Sequence, residues 1–272
     1  MKYWFKFYFY SLSLGIRYLF QNPLSFSKEA IKRIIIPMDI ARYFEIPATY
    51  WELNPQAKDK ILDISSPKLL SCFIAEMNKS EIAALDIWKE EISNWRGLTN
   101  RIGGIKGLKL IVGDGRALPF KNGTFDKIFS VSVIEHISEE GDIKCIKELS
   151  RVLKPGGIIV LTTPIGNDYK ENWVMRDVYG KKYSGQRPLF LSKIYTREML
   201  KERIISPSGC KLERFAVCQE KPDYFSRIYS SLFPLLVPFG LIFPLFAVLS
   251  LKPGIKIGRK NNVLIRLRKP PQ

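Results

Sequence analysis

The segments LKLIVGDGRALPFKNGTFDKIFSVSVIEHI (Leu108–Ile137) and LSRVLKPGGIIVLTTP (Leu149–Pro164) decide how this chain folds. Leu108 to Val112 and Lys127 to Val131 are short β-rich runs. Each ends in small or polar residues, as a buried parallel strand does where it emerges from a sheet. From Asp142 to Leu153, helical spacing sets Ile143, Ile146, Leu149, Val152 and Leu153 on one face. Lys154-Pro155-Gly156-Gly157 then stops the helix and starts the strand Ile158 to Thr162. Strand, helix, strand in that order is a parallel crossover unit, and ligands are expected at the carboxyl ends of such strands.

Working outward, Lys60 to Ile64 and Glu81 to Asp86 supply two more strands upstream, and Lys211 to Gln219 and Val263 to Arg268 supply two downstream. Residues 23–59 hold a helical cap. In it Ser27 is an expected N-cap, Pro37 an expected kink, and Thr49 to Leu53 a bulky TYWEL run. Between Ile165 and Cys210 lies an insertion rich in Tyr, Lys and Arg, followed by a helix capped by Thr196 and a turn at Gly209.

A chain of 272 residues that is 46% hydrophobic has room for one α/β domain with extensions. Cys72, Cys145, Cys210 and Cys218 form no CxxC pair, and His136 is the single histidine, so neither a zinc site nor a disulfide framework is indicated. The thiols fit a reducing compartment. A net charge of +17 favours a polyanionic partner, either nucleic acid or an anionic membrane surface.

GDGRALPF, FDKIFSVSVIEHI and LSRVLKPGGIIVLTTP resemble the class I S-adenosylmethionine-dependent methyltransferases, particularly the branch that includes quinone-biosynthesis enzymes. The resemblance covers about Lys60 to Pro164. It implies an α/β, Rossmann-like, seven-stranded sheet with helices on both faces, extended here by N-terminal helices and interrupted by an apolar insertion before the last strand. It also implies S-adenosylmethionine as cofactor. Asp63 would help hold the amino group of its methionine part and Asp86 its ribose hydroxyls. Asp114 and Gly115 would lie at the adenine, with Ser130 and Val131 beneath the cofactor. Glu135-His136 matches the family's EH phrase, but His136 is read as bonding backbone, and no catalytic residue is assigned. In related enzymes, upstream helices cover the substrate pocket.

One loop departs from the resemblance. Where these enzymes carry a glycine-rich run, this chain has Asp63-Ile64-Ser65-Ser66-Pro67-Lys68. Ser66 is expected to cap the next helix and Pro67 to open it, so the Ser65-Ser66 turn and the positive helix end survive. Glycine's tolerance of close backbone approach is lost, and Pro67 removes one N–H donor.

Two apolar segments choose between the polyanionic partners. Residues 1–22 are dense in aromatics and carry Lys2, Lys6 and Arg17, the composition of a helix lying among headgroups or, equally, of an ordinary helix packed on the domain. Arg17 and the lack of a small-residue cleavage site argue against a signal peptide. Ile228 to Leu251 has no charge over 24 residues, long enough for a span, yet Pro234, Pro238, Gly240 and Pro244 interrupt it. The resemblance implies that the flanking strands, Lys211 to Gln219 and Val263 to Arg268, form an antiparallel pair and so lie on one side of a membrane. A re-entrant hairpin (residues 223–256) is therefore expected between a core of residues 60–222 and a last strand with basic tail (257–272). From Lys252 to Gln272 there are seven basic residues and no acid.

The sequence thus supports a cytoplasmic enzyme, peripheral or monotopic at the membrane, methylating an amphiphilic small-molecule, lipid-linked or glycan acceptor. A cofactor-poor binding or scaffold protein is the second reading. A nucleic-acid methyltransferase is the third, weakened by the absence of an RNA-binding module and by the apolar segment.

Overall fold

The computed structural model describes residues 4–21, 28–35, 37–38, 42–178, 182–220, 251–254 and 261–271. An N-terminal layer comprises α1 (Trp4–Gln21), α2 (Lys28–Ile35) and α3 (Arg42–Leu53). The alternating core runs β1 (Lys60–Ile64), α4 (Lys68–Phe73), β2 (Glu81–Asp86), α5 (Lys89–Arg101), β3 (Leu108–Val112), β4 (Phe125–Val131), α6 (Gly141–Val152) and β5 (Leu153–Ile165). A two-stranded arm follows, β6 (Lys170–Val174) with β7 (Leu189–Ile194). Then come α7 (Arg197–Leu200), β8 (Lys211–Glu220), β9 (Leu251–Gly254) and β10 (Asn261–Arg268).

The main sheet has the order β3-β2-β1-β4-β5-β10-β8-β9. The first five strands are parallel, and β10 runs antiparallel between β5 and β8. The expected seven strands are all present, and β9 adds a short eighth at the edge. Because β10 sits inside the sheet, with Ile265 opposite both Leu161 and Phe215, the end of the chain belongs to the core.

Alternation along the strands builds a core on each face. Ile61, Phe129 and Val160 join Phe7, Leu70 and Trp95 in the layer under α1, α4 and α5. Leu62, Ile128 and Ile159 join Cys145, Leu149 and Leu200 in the layer under α6 and α7. β5 starts at Leu153, earlier than the expected Ile158, and Gly157 is required within it, since a Cβ there would lie 2.8 Å from Asp126 O and 2.9 Å from Lys154 O. Thr196 caps α7, accepting from Met199 N at 3.2 Å, and Gly209 turns with φ 60, both as the sequence indicates.

One N-terminal expectation is corrected. The stretch read as one helix kinked at Pro37 is two helices, and Pro37 lies between α2 and α3, because a proline cannot donate to the preceding turn. The aromatic helix α1 packs on the domain. Phe7 lies against Phe73 and Tyr50 with ring centroids 4.5 and 5.4 Å apart, and Gly15 allows α2 to approach, since a Cβ there would meet Ala30 O at 2.7 Å. The proposed cap Ser27 and the apolar run Ile228 to Ser250 lie outside the described residues. Among the described residues, no helix is long and apolar enough to cross a membrane.

Candidate functional site

Strand order reverses direction between β1 and β4, and Asp63 and Asp86 stand at or near the carboxyl ends of neighbouring strands beside that point. The turn after β1 survives without glycine. Ser65 takes the left-handed conformation at φ 50 and donates its N–H to Leu85 O at 2.7 Å. Ser66 does not cap α4. Its hydroxyl donates to Ile64 O at 3.3 Å and accepts from Val131 N at 2.9 Å, while its N–H donates to Asp63 Oδ1 at 3.0 Å. Pro67 takes the cap position instead of the first helical one, with no side-chain cap bond. The hydroxyl is used to tie the β1 turn to β4, so none is left for the helix end.

Lys68 follows, and sequence reading assigned it no role. Its side chain is fully buried, and its ammonium donates to Ser66 O at 2.8 Å and lies 3.4 Å from Asp86 Oδ2 and 3.5 Å from Asp63 Oδ2. Ser71 Oγ donates to the same Asp63 oxygen at 2.5 Å, and Trp88 N donates to Asp86 Oδ1 at 3.0 Å. Burial raises the Asp63 carboxyl above its ordinary value, opposed by the Lys68 charge and the bonds from Ser71 and Ser66. The only local signal for Lys68 is its position at the start of α4, directly after the turn that follows Asp63.

The other expected residues are spread around this centre. Asp114, just beyond β3, is held by Arg116, whose guanidinium lies 2.6 Å from Asp114 Oδ2 and whose backbone N–H donates to Oδ1 at 2.8 Å. Hydrogen bonds from Arg116 hold this carboxyl below its ordinary value. Gly115 passes close to α6, since a Cβ would meet Cys145 Sγ at 3.0 Å. Ser130 and Val131 are buried in the sheet, with Ser130 Oγ donating to Ile64 O at 3.2 Å.

A second polar cluster lies beyond β4 and β5, and it brings in Glu45 from α3. Ser132 adopts φ 51, a conformation costly for a residue with a Cβ and concentrated at functional sites. Its hydroxyl donates to Glu45 Oε1, as does Thr162 Oγ1 at 3.1 Å, while Arg42 lies 2.5 Å from Glu45 Oε2. Glu135 is buried nearby and accepts from Thr163 Oγ1 at 3.2 Å. Burial, reinforced by the Glu45 charge, pushes its carboxyl up to about 8. His136 Nδ1 lies 2.7 Å from Leu191 O; a carbonyl only accepts, so Nδ1 carries the proton, and burial keeps the ring below its ordinary value. His136 thus bonds backbone, as the sequence suggested. Apart from its local pair with Arg42, the partners of Glu45 are distant in sequence, so no local pattern marked it.

A mixed sheet in this order, with acids at successive strand ends around the switch point, defines a Rossmann-like methyltransferase fold. Residues 62–161 match the family described as a methyltransferase domain. Norajmaline N-methyltransferase from Rauvolfia serpentina is 31% identical over 110 residues, covering 40% of this chain and 37% of that protein. Demethylmenaquinone methyltransferase from Bacillus pumilus is 30% identical over 112 residues, covering 40% and 46%. A tRNA (carboxymethyluridine(34)-5-O)-methyltransferase from Arabidopsis thaliana is 34% identical over 85 residues, covering 25% and 21%. The chain therefore spans less than half the length of these relatives. Among solved structures, the [4+2]-cyclase SpnF superposes with a TM-score of 0.57 at 16% identity, over 84% of this chain and 80% of that one, a likeness of fold alone.

Proposed function

We propose that the chain is an S-adenosylmethionine-dependent methyltransferase acting on an amphiphilic small-molecule or lipid-linked acceptor at an anionic membrane surface. The observation that carries this reading is the pair of buried carboxylates, Asp63 and Asp86, at the strand ends of a methyltransferase domain. Their acceptor oxygens suit the amino and hydroxyl donors of the cofactor, and the turn at Ser65 keeps the required left-handed backbone. Bound there, S-adenosylmethionine would supply an electrophilic methyl group for in-line displacement.

The remaining work of the protein is alignment and exclusion of water. Asp63 and Asp86 orient the cofactor, and Asp114 faces its base. Glu45, Glu135 and His136, gathered beyond β4 and β5, are the groups able to orient an acceptor or hold its proton. Isothermal calorimetry with S-adenosylmethionine tests the reading. Asp86→Ala should weaken binding by about 1–3 kcal/mol, the worth of its hydrogen bonds. No heat from the wild type at millimolar cofactor would leave the scaffold reading in its place.

Membrane contact is supported by the outward face of α1. Phe5, Phe9, Ile16 and Phe20 are exposed, at 42%, 60%, 39% and 82%, and with Leu12 they form an apolar stripe at helical spacing beside Lys6. A chain of net charge +17 would bring that stripe to anionic headgroups. Cytoplasmic placement belongs to the same proposal, as does a re-entrant segment between β8 and β9, shorter than the expected 223–256 because Leu251–Gly254 pairs with β8. The likeness to a tRNA methyltransferase keeps nucleic acid as an outcome that competition binding would reveal.

A further inference from the structure

The carboxylates that would hold the cofactor are already joined by a cation of the chain itself. Lysine has three N–H donors and no acceptor. Around the buried Lys68 ammonium stand three acceptors: Ser66 O at 2.8 Å, Asp86 Oδ2 at 3.4 Å and Asp63 Oδ2 at 3.5 Å. The other oxygens of both acids are engaged by Ser66 N and Trp88 N. S-adenosylmethionine presents an ammonium and two ribose hydroxyls, donors that need these same oxygens. Two ammonium groups cannot share them at close range without strong repulsion in a dry site.

We propose that Lys68 is an affinity-setting residue whose ammonium stands where the donors of S-adenosylmethionine bind, so that the cofactor enters only as Lys68 swings away from Asp63 and Asp86. This rests on the reading of the domain as a binder of S-adenosylmethionine. The four-carbon stem of Lys68, on the first turn of α4, makes the swing a side-chain rotation. The loop without glycine is then a chain-specific device that holds the two strand-end acids together when no ligand is present. It also makes the free protein a weak binder.

The test compares wild type with Lys68→Met, which keeps the volume and removes the charge. Calorimetry should show at least tenfold tighter binding of S-adenosylmethionine by Lys68→Met. Its thermal midpoint should fall without ligand, since two buried acids lose their counter-charge, and rise more than that of wild type when ligand is added. Acetylation of wild-type protein with acetic anhydride, read by mass spectrometry, provides a measure that does not depend on the variant folding. Lys68 should be protected in the free protein and become severalfold more reactive with saturating S-adenosylmethionine. Equal or weaker binding by a folded Lys68→Met protein overturns the proposal, as does cofactor binding by wild type that leaves Lys68 protected; the latter leaves the methyltransferase reading intact. Absence of binding by both proteins at millimolar cofactor removes that reading and this inference with it.

Discussion

Glu135 carries a carboxyl that water would ionise and the protein keeps neutral. Its burial raises it from an ordinary value of 4.5 to about 8, and the nearby Glu45 charge acts in the same direction. Between those values the folded chain holds a proton that the unfolded chain releases. Folding stability from this residue is therefore complete below about pH 4.5 and declines as pH rises toward 8. The thermal midpoint of wild type should fall across that window more steeply than that of Glu135→Gln, which has no proton to lose. Parallel curves for the two proteins would mean that Glu135 is ionised throughout. Methyl transfer, measured alongside, tests whether the neutral acid also serves the acceptor. A role for Glu135 in catalysis predicts that Glu135→Gln removes an alkaline limb from the rate profile.

At the scale of elements, α1 has two apolar faces with different roles. Phe7, Leu14 and Tyr18 face inward and are buried against the domain, while Phe5, Phe9, Ile16 and Phe20 face outward. Phe9→Ser with Phe20→Ser should change folding stability little, about 0.5 kcal/mol per site, as exposed substitutions do. The same pair should reduce flotation with vesicles containing anionic phosphatidylglycerol. Unchanged flotation would remove α1 from the membrane proposal. Gly15→Ala acts on the opposite face. Its Cβ would stand 2.7 Å from Ala30 O, so α2 must shift, and a loss of about 1–3 kcal/mol is expected in chemical denaturation. Both faces obey the same helical period, and hydrophobicity alone could not say which one the domain would cover.

For the whole molecule, the decisive constraint is that β8 and β10 pair antiparallel from Gln219↔Asn261 to Lys211↔Arg268. The chain leaving β8 must return to the same side before β10. Any membrane insertion between them therefore enters and leaves through one face. Cysteines placed at Ser226 and Lys256, in a background lacking Cys72, Cys145, Cys210 and Cys218, should both react with an impermeant thiol reagent from the cytoplasmic side only. Reaction at one of them from the opposite side would contradict the sheet pairing. Deleting residues 228–251 tests the anchor itself, with the α1 stripe and the basic tail as the second signal that stable anchoring commonly needs.

Without marking β6, β7 or β9, the sequence by itself determined seven strands of the main sheet, the helix between β4 and β5, the turn at Gly209 and the acids at the ends of β1 and β2. These are local: contiguous apolar runs, helical spacing and turn residues act over a few positions, and the order of elements then leaves few sheet topologies. It also marked the altered loop at Ser65 to Lys68, without saying what replaced glycine's function. Only the tertiary structure decided that Ser66 bonds β4 instead of capping α4, that Lys68 joins Asp63 to Asp86, and that the aromatic helix turns one face to the core. It also decided that Glu45 reaches Ser132 and Thr162, 87 and 117 positions away. Such contacts depend on where folding closes long loops and which polar groups must be satisfied once water is gone, conditions that no short window of sequence contains.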